Sequence, residues 1–558
     1  MSDMPATGTA TDVKQVDAVV IGSGFGGLYA LHKLRNDLGL DVQAFDNAAG
    51  VGGTWYWNTY PGARSDTEVT AYCYSFDREL YDEWNWTERY PRQPEILAYL
   101  NHFAERYDLK RSIQFETQVV STDFDDATGR WTVVTDTGQT WSAQFIIEGV
   151  GLLSSTNFPH FPGQENFGGE CYHSSRWPQG GVDLTGKRVG VIGTGSTGVQ
   201  IITAIAPEVS HLTVFQRTPQ WTVPAMHRPI DPHFLNDIRA NYDGFWNSVR
   251  SSGAAFGFDE SAITFDTATP EEQQAAFERQ WSSGGGFQFM LGVYADVIAS
   301  REANKAATDF IAAKIRETVK DPETAAALTP TDLYAKRPLC DDGYYATFNR
   351  DNVTLVDVKA RPILEITEKG VRTELGEVEL DVLVFATGFD AFTGNYLKID
   401  QHGKNGVSLR DRWADRPHTF MAMMTAEFPN WFMIYGPMCP FTNQPPAHEV
   451  EVDWIAGAIQ RVRNSGAQTI EVTAAGEQRW MDLCDELAEH TLFKETDSWI
   501  NGANIPGKPK VTMVYMGGMG PYVDELNRIA EGGYADGLEL GSGALLATCA
   551  AQAVMPAR

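Results

Sequence analysis

The sequence predicts an α/β protein with two dinucleotide-binding units and a helical insertion. Three observations predict it. Two glycine-rich loops each lie between a strand pattern and a helix pattern, their first glycines, Gly22 and Gly193, stand 171 residues apart, and a strand-poor stretch follows the second loop. The 558 residues are ample for such a core.

The first unit opens at Val16–Ile21 (VDAVVI), an apolar, β-branched run of strand length. Gly22-Ser-Gly24-Phe-Gly-Gly27 follows, then a helix pattern over Gly27–Leu38 and a strand over Asp41–Asp46. The glycines allow a tight turn and close approach of backbone amides to a pyrophosphate, with a helix N-terminus behind them. Asp46 lies 19 residues after Gly27, where a carboxylate accepts from ribose hydroxyls.

The second unit repeats the plan. Lys187–Ile192 reads as a strand, Gly193-Thr-Gly195-Ser196-Thr-Gly198 as the loop, Val199–Ala206 as a helix and His211–Phe215 as the next strand. Arg217 stands 19 residues after Gly198, with Thr218 beside it. An arginine there pairs with a 2′-phosphate that an acid would repel. Both units are therefore Rossmann-like; the first suits FAD and the second NADPH, with electrons passing from NADPH to flavin.

From about Gln220 to Leu333 the patterns turn helical, as in Pro270–Trp281 and Ala303–Val319. Strands return at Val353–Val356 and Asp381–Phe385, and the chain from about Gly541 is rich in small residues. The plan expected is interleaved. An FAD part covers 1–155 and an NADP part covers 156–222, with a linker at 160–180. The insertion covers 223–333, the second NADP part 334–390, the second FAD part 391–540 and a flexible tail 541–558.

Composition excludes several classes. The 44 basic and 73 acidic residues give a net charge of −29, which argues against nucleic acid or an anionic membrane as partner. The six cysteines form no paired motif, against a structural zinc site or a disulfide reductase. Met1–Asp17 has no apolar core and no run of about 18 apolar residues occurs, so a cytoplasmic protein is expected, with no bound metal.

Two further motifs lie around these units. Gly52-Gly53-Thr54-Trp55 continues to Tyr60-Pro61-Gly62 and Asp66, matching G-G-x-W-x-x-x-x-[FY]-P-G-x-x-x-D. Phe167, Gly169, His173, Trp177 and Pro178 match F-x-G-x-x-x-H-x-x-x-W-P. With these signatures the chain resembles the type I Baeyer–Villiger monooxygenases, class B flavin enzymes, nearest the cyclohexanone monooxygenase branch, from about Val16 to Tyr534.

The resemblance implies NADPH- and O2-dependent conversion of ketones, cyclic alkanones above all, to lactones or esters, with sulfoxidation as a side activity. Reduced flavin would form a peroxide on its carbon 4a, and the peroxide anion would attack the carbonyl to give a tetrahedral (Criegee) adduct. Arg337 is then the active-site arginine, whose permanent charge keeps the peroxide anionic, and Asp66 directs it. Lys336 joins Arg217 and Thr218 at the 2′-phosphate, while Thr54 and Trp55 join the cofactor-binding set. Trp499 lies on a loop that closes over the nicotinamide, and NADP+ stays to exclude water. Phe167, Gly169, His173 and Trp177 couple the domains. Leu153, Phe256, Phe287, Phe289 and Phe441 line an apolar ketone pocket. One departure is Met438-Cys439, where cyclohexanone-type relatives tend to carry Asn-Gly; near the pocket wall it bears on ring-size preference. The chain is expected to act as a monomer on a small-molecule ketone. The alternatives are an N-hydroxylating or heteroatom-oxidising flavin monooxygenase, and a non-enzymatic NADPH-sensing flavoprotein.

Overall fold

The structure, a computed structural model, describes residues 13–541; the tail expected after Gly541 lies outside them. Two sheets organise the chain. The first has eight strands. Lys14–Ile21 runs at its centre, parallel to Val42–Phe45 on one side and Thr140–Glu148 on the other. Ala18, Val19 and Val20 are fully buried, because both faces of this parallel core are covered, and that is why the strand reads as a continuous apolar run. Arg130–Thr135 and Val119–Asp125 extend the sheet antiparallel. The last strands come from far along the chain: Asp400–His402 at the edge and Trp431–Met433 against the end of Thr140–Glu148.

The second sheet has five strands, all parallel. Its order is Val353–Asp357, His211–Gln216, Arg188–Ile192, Val382–Phe385 and Glu170–His173. The edge strand Glu170–His173 is the heart of the second signature motif, which the sequence shows only as a linker. Its pattern is too short and polar to read as a strand; pairing with Val382–Phe385 makes it one.

Between the sheets' segments lie six insertion helices, from Pro232–Ala240 to Pro322–Leu328. Their starts carry conventional signals. Thr269 and Glu272 form a reciprocal capping box at Pro270–Ser283, Ser300 caps Arg301–Thr318 and Asp321 caps Pro322–Leu328. A parallel pair, Thr222–Val223 with Leu339–Cys340, closes the base of the insertion. It ties the chain just after Arg337 to the strand that precedes the helices.

Both dinucleotide helices start earlier than their patterns suggest, at Phe25 and at Ser196. The reason is packing. A Cβ on Gly26 would stand 2.8 Å from Ile434, so these glycines serve contact inside the helix as well as the turn before it.

Candidate active site

A cavity of about 1300 Å³ takes in both glycine loops, Arg337, Asp66 and part of the aromatic cluster. The two loops are built alike. A Cβ on Gly22 would lie 2.4 Å from the Gly149 oxygen, and one on Gly193 the same distance from the Ala386 oxygen. Within the loops, a Cβ on Gly27 or Gly198 would meet the carbonyl of Gly22 or Gly193 at 2.0 or 2.2 Å. Gly24 and Gly195 occupy the N-cap positions and provide no side-chain cap. First-turn amides therefore face the cavity unsatisfied, a fit to a pyrophosphate at each loop. Ser196 opens the second helix and lines the cavity with Gly193 and Gly195.

Asp46 braces the first loop. Its Oδ2 accepts from the Ser23 amide and hydroxyl, both at 2.7 Å, and Oδ1 accepts from the Ala48 amide at 2.8 Å. Burial pushes this carboxyl's pKa up while those hydrogen bonds oppose the shift. Thr54 begins a short helix against the same cavity, and Trp55 Nε1 donates to the Tyr72 hydroxyl at 3.2 Å.

At the second loop Arg217 is exposed and makes no ion pair among the described residues. Thr218, through its carbonyl, accepts from the Thr194 hydroxyl at 3.1 Å. Lys336 Nζ stands 2.5 Å from Asp332 Oδ2. All four of Arg217, Thr218, Lys336 and Asp332 line the cavity. An unpaired guanidinium and a lysine lining the same cavity fit a 2′-phosphate.

Arg337 meets Asp66 with two arms. Nη2 donates to Oδ1 at 2.6 Å, and Nη1 stands 2.5 Å from Oδ2. The guanidinium carbon lies 5.5 Å from the centre of the Phe287 ring, within cation–π range. Burial works against the arginine's charge, but Asp66 outweighs it and the pKa is raised. The cation is thus permanent and aimed.

The flavin-binding monooxygenase-like family model matches residues 14–237. A Baeyer–Villiger monooxygenase of Pseudooceanicola batsensis is 53% identical over 527 residues, 94% of this chain and 96% of that protein. The chain belongs to the Baeyer–Villiger monooxygenases. A cyclohexanone 1,2-monooxygenase of Acinetobacter is 50% identical over 91% of this chain and 93% of its own. A phenazine N-monooxygenase of Lysobacter antibioticus is 46% identical over 94% and 97%. The crystal structure of cyclohexanone monooxygenase from Rhodococcus sp. Phi1 bound to NADP+ superposes with a TM-score of 0.94 at 50% identity, covering 95% of this chain and all of that one.

This Baeyer–Villiger monooxygenase is a flavoenzyme that uses FAD and NADPH, and its aromatic wall divides into two parts. Leu153, Phe256 and Phe287 line the cavity, the two phenylalanines stacked at 4.0 Å. Phe441 backs them, 6.0 Å from Phe287. Phe289 is elsewhere. It is fully buried among Phe277, Phe310 and Tyr334 and does not reach the cavity. Two residues along a helix turn the side chain by about 200°, so Phe287 and Phe289 on Gly286–Gly292 face opposite ways. Met438 and Cys439 are likewise core residues, buried beneath the wall and outside the cavity lining. Met438 adopts φ +67°, a left-handed conformation in which an asparagine would be more at ease than a methionine.

The linker residues Phe167, Gly169, His173 and Trp177 lie outside the cavity lining. His173 Nδ1 accepts from the Ser175 amide at 3.2 Å, and Nε2 lies 3.2 Å from the Thr387 hydroxyl. Burial pulls its pKa down to about 4, so the ring is neutral, with its proton on Nε2. Thr387 passes the contact on to the Asn157 carbonyl at 2.7 Å. Trp177 is buried on Tyr172. Phe167 packs on the second sheet's apolar cluster, and a Cβ on Gly169 would strike the Asp381 carbonyl at 2.4 Å. Among the described residues no group of three His, Cys, Asp or Glu could hold a metal, and no helix is long and apolar enough to cross a membrane.

Trp499 lines the cavity and stacks on Phe392, 5.7 Å between centroids. Its loop is fastened down: Asn504 Nδ2 donates to the Phe389 carbonyl at 2.8 Å, and Lys508 Nζ reaches Asp390 Oδ1 at 2.6 Å. Sequence reasoning missed these ties and one seam. The Tyr60 hydroxyl donates to Gln200 Oε1 at 2.9 Å, joining the first motif to the second dinucleotide helix. The tyrosine's fixed place in the motif was the available signal.

Proposed function

We propose that this enzyme oxidises ketones, cyclic alkanones such as cyclohexanone first, to lactones or esters with NADPH and O2, with sulfoxidation as a side activity. The observation that carries the reading is the Arg337–Asp66 pair set beside the Phe256–Phe287 wall, in one cavity with both glycine loops. Bound FAD, reduced by NADPH, supplies the activated oxygen. The first sheet's unit holds FAD and the second holds NADPH.

Arg337 places a fixed positive charge where negative charge develops on oxygen as the carbonyl is attacked, the strongest single kind of stabilisation in such a site. Asp66 sets the direction of that charge, at some cost to its net field. Phe256, Phe287 and Leu153 give the ring an apolar seat, so the carbonyl is the only polar handle left to orient. Trp499 and its loop keep water from the reacting centre, as does NADP+ retained through the cycle. Arg217, Thr218 and Lys336 hold the 2′-phosphate. The enzyme works as a cytoplasmic monomer on small molecules.

A second reading is oxygenation of a ring nitrogen, supported by the similarity to the phenazine N-monooxygenase. A ketone panel with product identification separates the two. Lactone from cyclohexanone, with NADPH consumed in step, is the expected result. N-oxide from nitrogen heteroaromatics such as phenazines and no lactone from any cyclic ketone would replace the reading.

A further inference from the structure

We infer that Asp332 is a built-in competitor of the 2′-phosphate: its carboxylate occupies Lys336 until the phosphate arrives, and so sets how tightly NADPH is held. The inference rests on the assignment of Arg217 and Lys336 to that phosphate.

The pair is not an accident of helical spacing. Asp332 and Lys336 are four residues apart, yet no helix covers them. Instead the Asp332 carbonyl is anchored by Trp221 Nε1 at 2.9 Å, which holds this turn against the start of the insertion. The lysine side chain is largely buried, 13% exposed against 39% for the aspartate. A lysine enclosed in this way cannot trade its partner for bulk water, so what it pairs with matters. Both residues line the cavity together with Arg217.

The two cations assigned to the phosphate therefore differ. Arg217 has no ionic partner among the described residues, whereas Lys336 is already neutralised. Asp497, on the segment leading into the Trp499 loop, also lines the cavity, but it is paired to Lys510 at 2.6 Å. An incoming phosphate finds one free guanidinium and one ammonium it must share with a carboxylate that repels it. A site of two free cations would bind more tightly and release more slowly. The compensated site suits a cofactor that must leave at every turnover.

The test is calorimetric binding of 2′,5′-ADP and 5′-AMP to the purified, FAD-loaded full-length protein. Wild type should prefer 2′,5′-ADP. Asp332→Asn should tighten 2′,5′-ADP about five- to tenfold, leave 5′-AMP unchanged, and lose most of the gain at about 0.5 M salt, as an electrostatic effect must. Asp332→Glu should behave as wild type, and Lys336→Ala in the Asp332→Asn background should abolish the gain. Unchanged or weaker 2′,5′-ADP binding in Asp332→Asn overturns the inference alone, provided Arg217→Ala removes the preference. A wild type that does not distinguish the two nucleotides overturns the phosphate assignment and the inference together.

Discussion

A Cβ placed on Gly62 would stand 2.6 Å from the carbonyl oxygen of Gln200. Gly62 belongs to the first signature motif and Gln200 to the second dinucleotide helix, so the two nucleotide units meet backbone to backbone here. Gly62 also holds φ +83°, a conformation that costs other residues about 1–2 kcal/mol. Gly62→Ala adds that cost to the clash. We expect a loss of about 2–4 kcal/mol, read as a lower melting temperature, and slower flavin reduction by NADPH as the seam opens. A variant that melts and is reduced like wild type would show that the seam tolerates separation.

The fork between Arg337 and Asp66 predicts a divided phenotype. Arg337→Ala should still allow NADPH to bleach the flavin but should lower ester formation by at least about two to three orders of magnitude. Arg337→Lys should recover little, because a lysine cannot grip both carboxylate oxygens. Stopped-flow absorbance and product chromatography measure the two halves separately. Ester at wild-type rate from Arg337→Ala would remove this residue from the reaction.

Phe256 and Phe289 should separate pocket from core. Phe289→Ala empties a fully buried site and should cost about 3–5 kcal/mol without changing the order in which ketones are preferred. Phe256→Ala opens the cavity wall and should move that preference toward bulkier ketones. Relative kcat/KM values over a ring-size series, with melting curves, decide it.

Glu451 makes stability sensitive to alkali. The side chain is fully buried, and burial raises its pKa from 4.5 to about 8, against hydrogen bonds from the Tyr435 amide at 2.6 Å and the Tyr522 hydroxyl at 3.0 Å. The folded value lies above the unfolded one. Its contribution is therefore full below about 4.5 and is lost as pH rises through about 8. Glu148, also raised to about 8, acts in the same direction. The melting temperature should fall between about pH 6 and about pH 9, and Glu451→Gln, which cannot ionise, should flatten that slope. Equal slopes in both proteins would mean that Glu451 does not titrate in this range.

Much of this was legible because it is local. Gly22 to Gly27 and Gly193 to Gly198 announce their turns by spacing, and the apolar runs at Val16–Ile21 and Val382–Phe385 reflect strands covered on both faces. What stayed hidden depends on partners distant in sequence. Glu170–His173 becomes a strand only against Val382–Phe385. Phe287 and Phe289 look alike until the direction of a short helix assigns one to the cavity and the other to the core. Asp332 reads as an ordinary loop acid until Lys336 is seen folded onto it. The Arg337–Asp66 pairing, 271 residues apart, was accessible only through the resemblance of its two motifs.

The strand order has a further consequence for anyone who would dissect the enzyme. The first sheet draws on Lys14–Glu148 and again on Asp400–His402 and Trp431–Met433. A cut anywhere between Glu148 and Asp400 therefore parts strands that lie side by side, and between His173 and Val382 it parts the second sheet as well. Among the described residues, the first sheet is not built from one uninterrupted stretch of chain. Expressed as two independent halves, each would carry an incomplete first sheet with an unpaired strand edge.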